Sequence, residues 1–146
     1  MDLDTQVKQA VYRHFASTGR APSAGELTGQ LACSPEEVRG ACGRLRANRV
    51  LLLEADAETI RMAPPFSGVP TPHRVEVGGL VYMANCAWDA LGIPAALHRE
   101  AVVHSRCGQS GAPLRLRVGL EGPEASEWVF HCQVPAARWW ADLVFT

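Results

Sequence analysis

Residues 74–92, RVEVGGLVYMANCAWDALG, contain the part of the sequence that decides the fold. Two short runs with β-forming residues, 74–77 and 80–83, flank Gly78-Gly79. Two glycines between such runs favour a two-residue turn with positive φ angles, which joins antiparallel strands. The stretch therefore predicts a β-hairpin.

A short helix is predicted directly after this hairpin, over residues 85–91, and Gly92 and Pro94 are expected to end it. Further elements follow toward the C-terminus. They are predicted strands at 101–105, 114–118 and 127–134, and a helix at 136–145. Short antiparallel strands mixed with short helices indicate an α+β domain.

Before the hairpin, the sequence predicts three helices and a second pair of short strands. Ser23 with Glu26, and Ser34 with Glu37, form capping boxes that begin the second and third helices. Three helices followed by the strand-like runs 50–54 and 58–62 are typical of a winged helix. Residues 63–72 hold four prolines and a glycine, and we expect a semi-rigid linker there that is neither helix nor central strand. The predicted domains are a winged-helix-like module, 1–64, and an α+β domain with antiparallel strands, 65–146.

Composition excludes several classes of protein. The 146 residues are 47% hydrophobic and 20% charged, which is typical of a folded globular chain. A net charge of −1 argues against a general attraction to nucleic acid or to anionic membranes. Neither a membrane span nor a signal peptide is evident, so a cytoplasmic location is expected. Five widely spaced cysteines without a CxxC pair do not predict a disulfide framework.

Cys86 and Asp89 are the candidate site residues. Residues three apart on a helix share one face, so this spacing places a soft metal ligand beside a possible proton donor. For an arbitrary Cys-x-x-Asp, a buried thiol and a surface carboxylate are the common explanation. The residues around this pair point to chemistry instead.

Two motifs occur in order around the pair. They are Cys-x-x-Asp-x-Leu-Gly-x-Pro at 86–94 and Cys-x-x-x-Gly-Ala-Pro at 107–113, with Val-Pro-Thr-Pro at 69–72 upstream. With these motifs the chain resembles the organomercurial (alkylmercury) lyases, which cleave carbon–mercury bonds by protonolysis. The resemblance implies that Cys86 binds the metal as a thiolate and that Asp89, at the same site, transfers the proton. It also implies a structural role for Cys107.

The resemblance carries expectations about ligands as well. No cofactor is required, and Hg(II) is bound as substrate and product. Partners are an organomercury or other organometal small molecule, and a thiol or mercuric reductase that accepts Hg(II); no membrane and no nucleic acid is expected. The family's second catalytic cysteine is expected directly after Thr146, where a UGA codon read as selenocysteine is one hypothesis. Cys132 is interpreted as a core residue.

Two other functions stay open. A winged helix can read DNA, and the second domain would then sense a soft metal or organometal. Residues 1–64 contain eight Lys or Arg and eight Asp or Glu, so a strongly basic DNA-binding face is not indicated. The other alternative is a non-catalytic interaction protein.

Overall fold

Three helices form the N-terminal part of the protein, which is described over residues 1–145 in a computed structural model. They are α1 (Leu3–Thr18), α2 (Ala24–Leu31) and α3 (Pro35–Ala47). Ser23 and Ser34 cap α2 and α3, and both capping boxes are complete. The three predicted helices are confirmed.

Eight antiparallel strands form one sheet in the order β1-β2-β3-β5-β4-β6-β7-β8. The strands are β1 (Leu52–Leu53), β2 (Ile60–Ala63), β3 (Phe66–Ser67), β4 (His73–Val77), β5 (Leu80–Ala84), β6 (Ala101–Arg106), β7 (Pro113–Gly119) and β8 (Gly122–Pro123). One further helix, α4 (Ala87–Leu97), packs against β4, β5 and β6. The α+β class with antiparallel strands is confirmed.

The predicted hairpin joins β4 to β5, with Val77 opposite Leu80. Gly78 and Gly79 have φ angles of 54° and 86°, as a two-residue turn of this kind requires. Val75 and Tyr82 pair across the two strands and are both buried. This hairpin sets the position of α4, which begins three residues after β5 ends.

The prediction of a linker without central strand at residues 63–72 is wrong. Phe66 and Ser67 form β3, which pairs with β2 on one edge and with β5 on the other. The prolines allow this because they precede and follow the two residues, leaving the N–H groups of both free for strand pairing. Phe66 also stacks on Phe15 of α1, with ring centroids 5.2 Å apart. The sheet thus continues across residues 64 and 65, while the division into two domains stays a prediction.

Helix α4 is longer than predicted. Gly92 and Pro94 lie inside it, and the left-handed residue that ends it is His98, with φ 51°. Pro94 removes one backbone hydrogen bond from the helix, and Ile93 and Pro94 are both buried. A Cβ at position 92 would lie 3.1 Å from Cβ of Pro65, so this glycine allows close packing rather than a helix end.

Of two C-terminal predictions, the strand is wrong and the helix is confirmed only in part. Residues 127–134 form no strand, although Trp128, Phe130 and Cys132 alternate as a strand would. The edge of β7 is already paired with β8, and Pro123 in β8 has no N–H to offer to a further strand. Of the predicted helix 136–145, a 3-10 helix forms over Ala136–Ala141. Within residues 1–145, none of the helices has the length and apolar character needed to cross a membrane.

Candidate functional site

Cys86 occupies the N-cap position of α4, two residues after the buried end of β5 at Ala84. Its backbone is extended, with φ −144° and ψ 178°, and its side chain makes no capping hydrogen bond. Burial raises the pKa of the Cys86 thiol, and the backbone amides of Asp89 and Trp88 partly offset this by favouring the thiolate. The first amides of a helix are suited to this because they have no partner within the helix.

Asp89 lies one turn further along the same helix. The thiol of Cys86 donates a hydrogen bond to Asp89, with Sγ and Oδ2 3.7 Å apart. Burial raises the pKa of Asp89 from 3.8 to about 6, against the opposing effect of the bond from Cys86. The predicted pair is therefore in contact, and its carboxyl group holds a proton far more readily than an exposed aspartate does.

Aromatic side chains cover the start of α4. Trp88 packs against Phe130 and Trp139, with ring centroids 5.8 Å and 6.2 Å apart. The Trp139 indole donates to the carbonyl of Val134 at 2.7 Å. The Asn85 side chain donates to the carbonyl of Leu143 at 2.9 Å. The segment after β8 is thus held over the first turn of the helix that carries Cys86 and Asp89.

Two other cysteines, Cys107 and Cys132, differ from Cys86 in their surroundings. Cys107 sits in the β6–β7 turn, where the Ser110 hydroxyl and nearby amides lower the pKa of its thiol. Cys132 is exposed, and its thiol donates to the carbonyl of Val134 at 2.6 Å, so its interpretation as a core residue is wrong. Within residues 1–145, no three Cys, His, Asp or Glu residues converge to form a metal-binding group.

His73 and Ser105 form a polar contact that no local pattern in the sequence predicts. Nδ1 of His73, at the start of β4, lies 2.7 Å from the hydroxyl oxygen of Ser105 on β6. Ser105 is buried, and burial lowers the pKa of His73. The contact depends on the antiparallel pairing of β4 with β6, which local sequence cannot specify.

Two arginines of α3 form ion pairs within the N-terminal region. Arg39 pairs with Glu58, and Arg44 pairs with Asp4, each with N and O atoms 2.7 Å apart. Both ion pairs neutralise charge on α3, the helix that a winged helix would place against DNA. These ion pairs, like the neutral net charge of residues 1–64, argue against DNA binding by this region.

Comparison with known proteins identifies the class to which this fold and site belong. Residues 66–146 match the MerB family of alkylmercury lyases, and the chain belongs to that family. It is 49% identical over 49 residues to the alkylmercury lyase of Streptomyces lividans. The aligned residues make up 34% of this chain and 23% of that protein. It is 42% identical over 50 residues to the enzyme of Bacillus cereus, again 34% of this chain and 23% of the relative.

The fold is also that of a solved structure. The crystal structure of the mercury-bound form of MerB2 superimposes with a TM-score of 0.68 at 23% sequence identity. This likeness covers 87% of the present chain and 61% of the MerB2 chain. The chain thus spans less than two thirds of that structure, and its matches span about a quarter of the curated relatives.

Proposed function

We propose that the chain cleaves carbon–mercury bonds, with Cys86 as the mercury ligand and Asp89 as the proton donor to carbon. The observation that supports this most directly is the contact of 3.7 Å between the Cys86 sulfur and Asp89 Oδ2 at the start of α4. Membership of the alkylmercury lyase family supports the same chemistry. Mercury is soft, and a thiolate is therefore its preferred side-chain ligand.

The proposed reaction needs one proton, and the pair can supply it. When the organomercurial R–Hg–X binds, sulfur forms a bond to mercury, X leaves as an anion, and the thiol proton passes to the Asp89 carboxylate. That proton then moves to the carbon, and the electrons of the carbon–mercury bond form the new C–H bond. The products are R–H and Hg(II) held between the Cys86 thiolate and the Asp89 carboxylate. These steps need no redox partner and no cofactor. Mercury enters as part of the substrate and leaves as the product Hg(II).

The environment of Asp89 favours its role as an acid. At a pKa of about 6 the carboxyl group is protonated in about one molecule in ten at pH 7, against less than one in a thousand at the ordinary value of 3.8. General acids work best when their pKa lies near the working pH. Released Hg(II) would pass to a soft acceptor, which we propose to be a small thiol or a mercuric reductase.

A single-turnover experiment tests these roles separately. The chain in which Cys33, Cys107 and Cys132 are changed to serine and Cys42 to alanine retains one thiol, Cys86. Incubated with phenylmercury, this parent should bind mercury in a one-to-one ratio, measured by intact mass, and release benzene, measured by headspace gas chromatography.

Two variants of this parent separate binding from proton transfer. Cys86→Ser should lose both mercury binding and benzene release. Asp89→Asn should still bind phenylmercury but release benzene about 100-fold or more slowly, because it removes the acid and keeps the shape. Asp142→Asn, which changes an exposed carboxylate, is the matched control and should match the parent. Equal release by Asp89→Asn and its parent would reject Asp89 as the proton donor.

A further inference from the structure

One face of the sheet carries arginines on three neighbouring strands. Successive side chains of a strand point to opposite faces of a sheet. Val75 of β4 pairs with Val103 of β6, and both are buried on the side against which α4 packs. The residues next to them, Arg74 and His104, therefore lie on the opposite side, which we call the outer face. On β4, β6 and β7 the charged and titratable residues of the outer face are Arg74, Glu76, His104, Arg106, Arg115 and Arg117.

Three of these residues form one row across the three strands. Arg74 pairs with His104, and His104 pairs in turn with Arg115. Residues directly opposite each other in antiparallel strands have Cβ atoms about 5 Å apart. Arg106 lies two residues after His104 on the same strand, so His104 has an arginine on three sides. Like charges in such positions destabilise a sheet, and the stability of the sheet alone therefore does not favour three arginines here.

Only part of this positive charge is neutralised within the protein. Oε1 of Glu76 lies 3.2 Å from Nε2 of His104 and 3.9 Å from a guanidinium nitrogen of Arg74. Among residues 1–145, no carboxylate forms an ion pair with Arg106 or Arg115, which are both exposed. We call Arg74, His104, Arg106 and Arg115 the basic cluster. Its excess positive charge attracts a negatively charged partner.

Carboxylates limit the basic cluster on the side of the β4–β5 turn. Glu124 accepts a hydrogen bond from the backbone N–H of Arg117 at 2.7 Å. Glu76 and Glu100 line the same open groove as Glu124, together with the glycines of the turn. A negatively charged partner is therefore expected at the other end of the outer face, around His104.

The basic cluster suits an acidic peptide better than a nucleic acid. A guanidinium group can bind a carboxylate through two parallel hydrogen bonds. In an extended peptide, alternate side chains lie on one side about 7 Å apart, which is also the spacing of His104 and Arg106 along β6. Single-stranded nucleic acids stack their bases on aromatic rings, and the outer face of β4, β6 and β7, all within the described residues, carries no Phe, Tyr or Trp. Glu76 would also repel a chain of phosphates.

We propose that the basic cluster is the docking site for a second protein, which binds it through an extended acidic segment. Alternate carboxylates of that segment contact Arg106 and Arg115, whose guanidinium groups have no ion-pair partner among residues 1–145. The cluster spans three strands, about 10 Å, so the interface is small and the complex is transient. This docking is separate from carbon–mercury cleavage, because Cys86 and Asp89 belong to the start of α4, on the other side of the sheet.

Defined peptides test the proposal with the full chain. The probe is a fluorescein-labelled octapeptide in which aspartate and serine alternate, and the control peptide has asparagine in place of each aspartate. Fluorescence anisotropy should show binding of the acidic peptide at low salt, about ten-fold weaker binding in about 0.2 M sodium chloride, and no binding of the control. In amide NMR spectra of the wild-type protein, the acidic peptide should shift the signals of His104 and Arg115 and leave Val7 in α1 unchanged.

Two double variants with the same net charge separate the basic cluster from general electrostatic attraction. Arg106→Gln combined with Arg115→Gln should weaken binding of the acidic peptide about ten-fold, because two charge-assisted contacts are lost. Arg13→Gln combined with Arg46→Gln changes two exposed arginines outside the cluster and should alter the affinity less than about two-fold. The NMR shifts of the wild type decide the location even if a variant fails to fold.

The proposal is overturned if the acidic peptide shifts no signals of the basic cluster, or if both double variants weaken it equally. It is also overturned if sulfate displaces the peptide where sodium chloride of equal ionic strength does not, since the cluster would then bind small anions. Tighter binding of a thymidine oligonucleotide to the cluster would overturn it in favour of nucleic acid. Cys86→Ser and Asp89→Asn should leave peptide binding unchanged, so failure of the proposed lyase reaction is recognised separately by the absence of benzene release.

Discussion

Replacing Asp89 by asparagine is expected to stabilise the folded protein at neutral pH. In the unfolded chain this carboxyl group titrates near 3.8, and in the folded protein its pKa is raised to about 6 by burial. Between these values the folded state binds more protons than the unfolded state, so the stability of the wild type falls as the pH rises. Above pH 6 the buried carboxylate lowers the free energy of unfolding by its full amount, and below about pH 4 this effect is largely absent.

The size of the effect follows from the shift. A difference of about two pKa units corresponds to about 3 kcal/mol, since each unit is worth about 1.4 kcal/mol. Asp89 is partly exposed, and solvent screening reduces the expected value to about 2 kcal/mol. Asparagine has the same shape and can still accept the hydrogen bond from Cys86, but it carries no charge. The free energy of unfolding of the variant should therefore exceed that of the wild type by about 2 kcal/mol at pH 7.5 and by little at pH 4.

Urea unfolding under reducing conditions at pH 7.5 and pH 4 measures this difference. Glu127→Gln, which changes an exposed carboxylate, serves as the matched control and should show no comparable gain. An Asp89→Asn variant that is no more stable than the wild type at pH 7.5 would refute the argument from burial. A gain of the same size at both pH values would show that packing, not ionisation, causes it.

Further predictions concern the N-terminal region. Gly19→Ala should lower the free energy of unfolding, measured in urea, by about 1–3 kcal/mol. The reason is that Gly19 has φ 75° and that an added Cβ would collide with the carbonyl oxygen of Val81. Gly29→Ala is the control and should not destabilise the fold, because Gly29 lies in open space on α2. In gel-shift assays with promoter DNA, the chain should form no specific, salt-sensitive complex, because Arg39 and Arg44 are already paired with carboxylates. A specific complex that Arg46→Ala weakens would instead favour the DNA-binding alternative.

The features that the sequence predicts well are local ones. The β4–β5 hairpin follows from two adjacent glycines, and the starts of α2 and α3 follow from Ser23 and Ser34. The contact between Cys86 and Asp89 is local too, since both residues belong to one helical turn. The Cys86–Asp89 pair could therefore be placed before any tertiary structure was known.

What local sequence could not predict depends on pairing between distant segments. Phe66 becomes part of a central strand because two other strands flank it, although its neighbouring prolines indicated a linker. His73 meets Ser105 only through the register of β4 with β6. The aromatic cover over Trp88 requires a contact with Trp139, which is 51 residues away in the sequence. No periodicity within one segment carries such information.

The two-residue strand β3 also removes an exposed edge from the end of β5. β5 pairs with β4 on one side, and on its other side β3 pairs with Met83 and Ala84, at the end of β5 that leads to Cys86. Without β3, the strand that leads to Cys86 would present unpaired N–H and C=O groups to solvent, and such an edge readily recruits strands from other molecules. Phe66 fixes this cover in place by stacking on Phe15 in α1. The N-terminal helices thereby help to keep the sheet beneath the candidate site from aggregating.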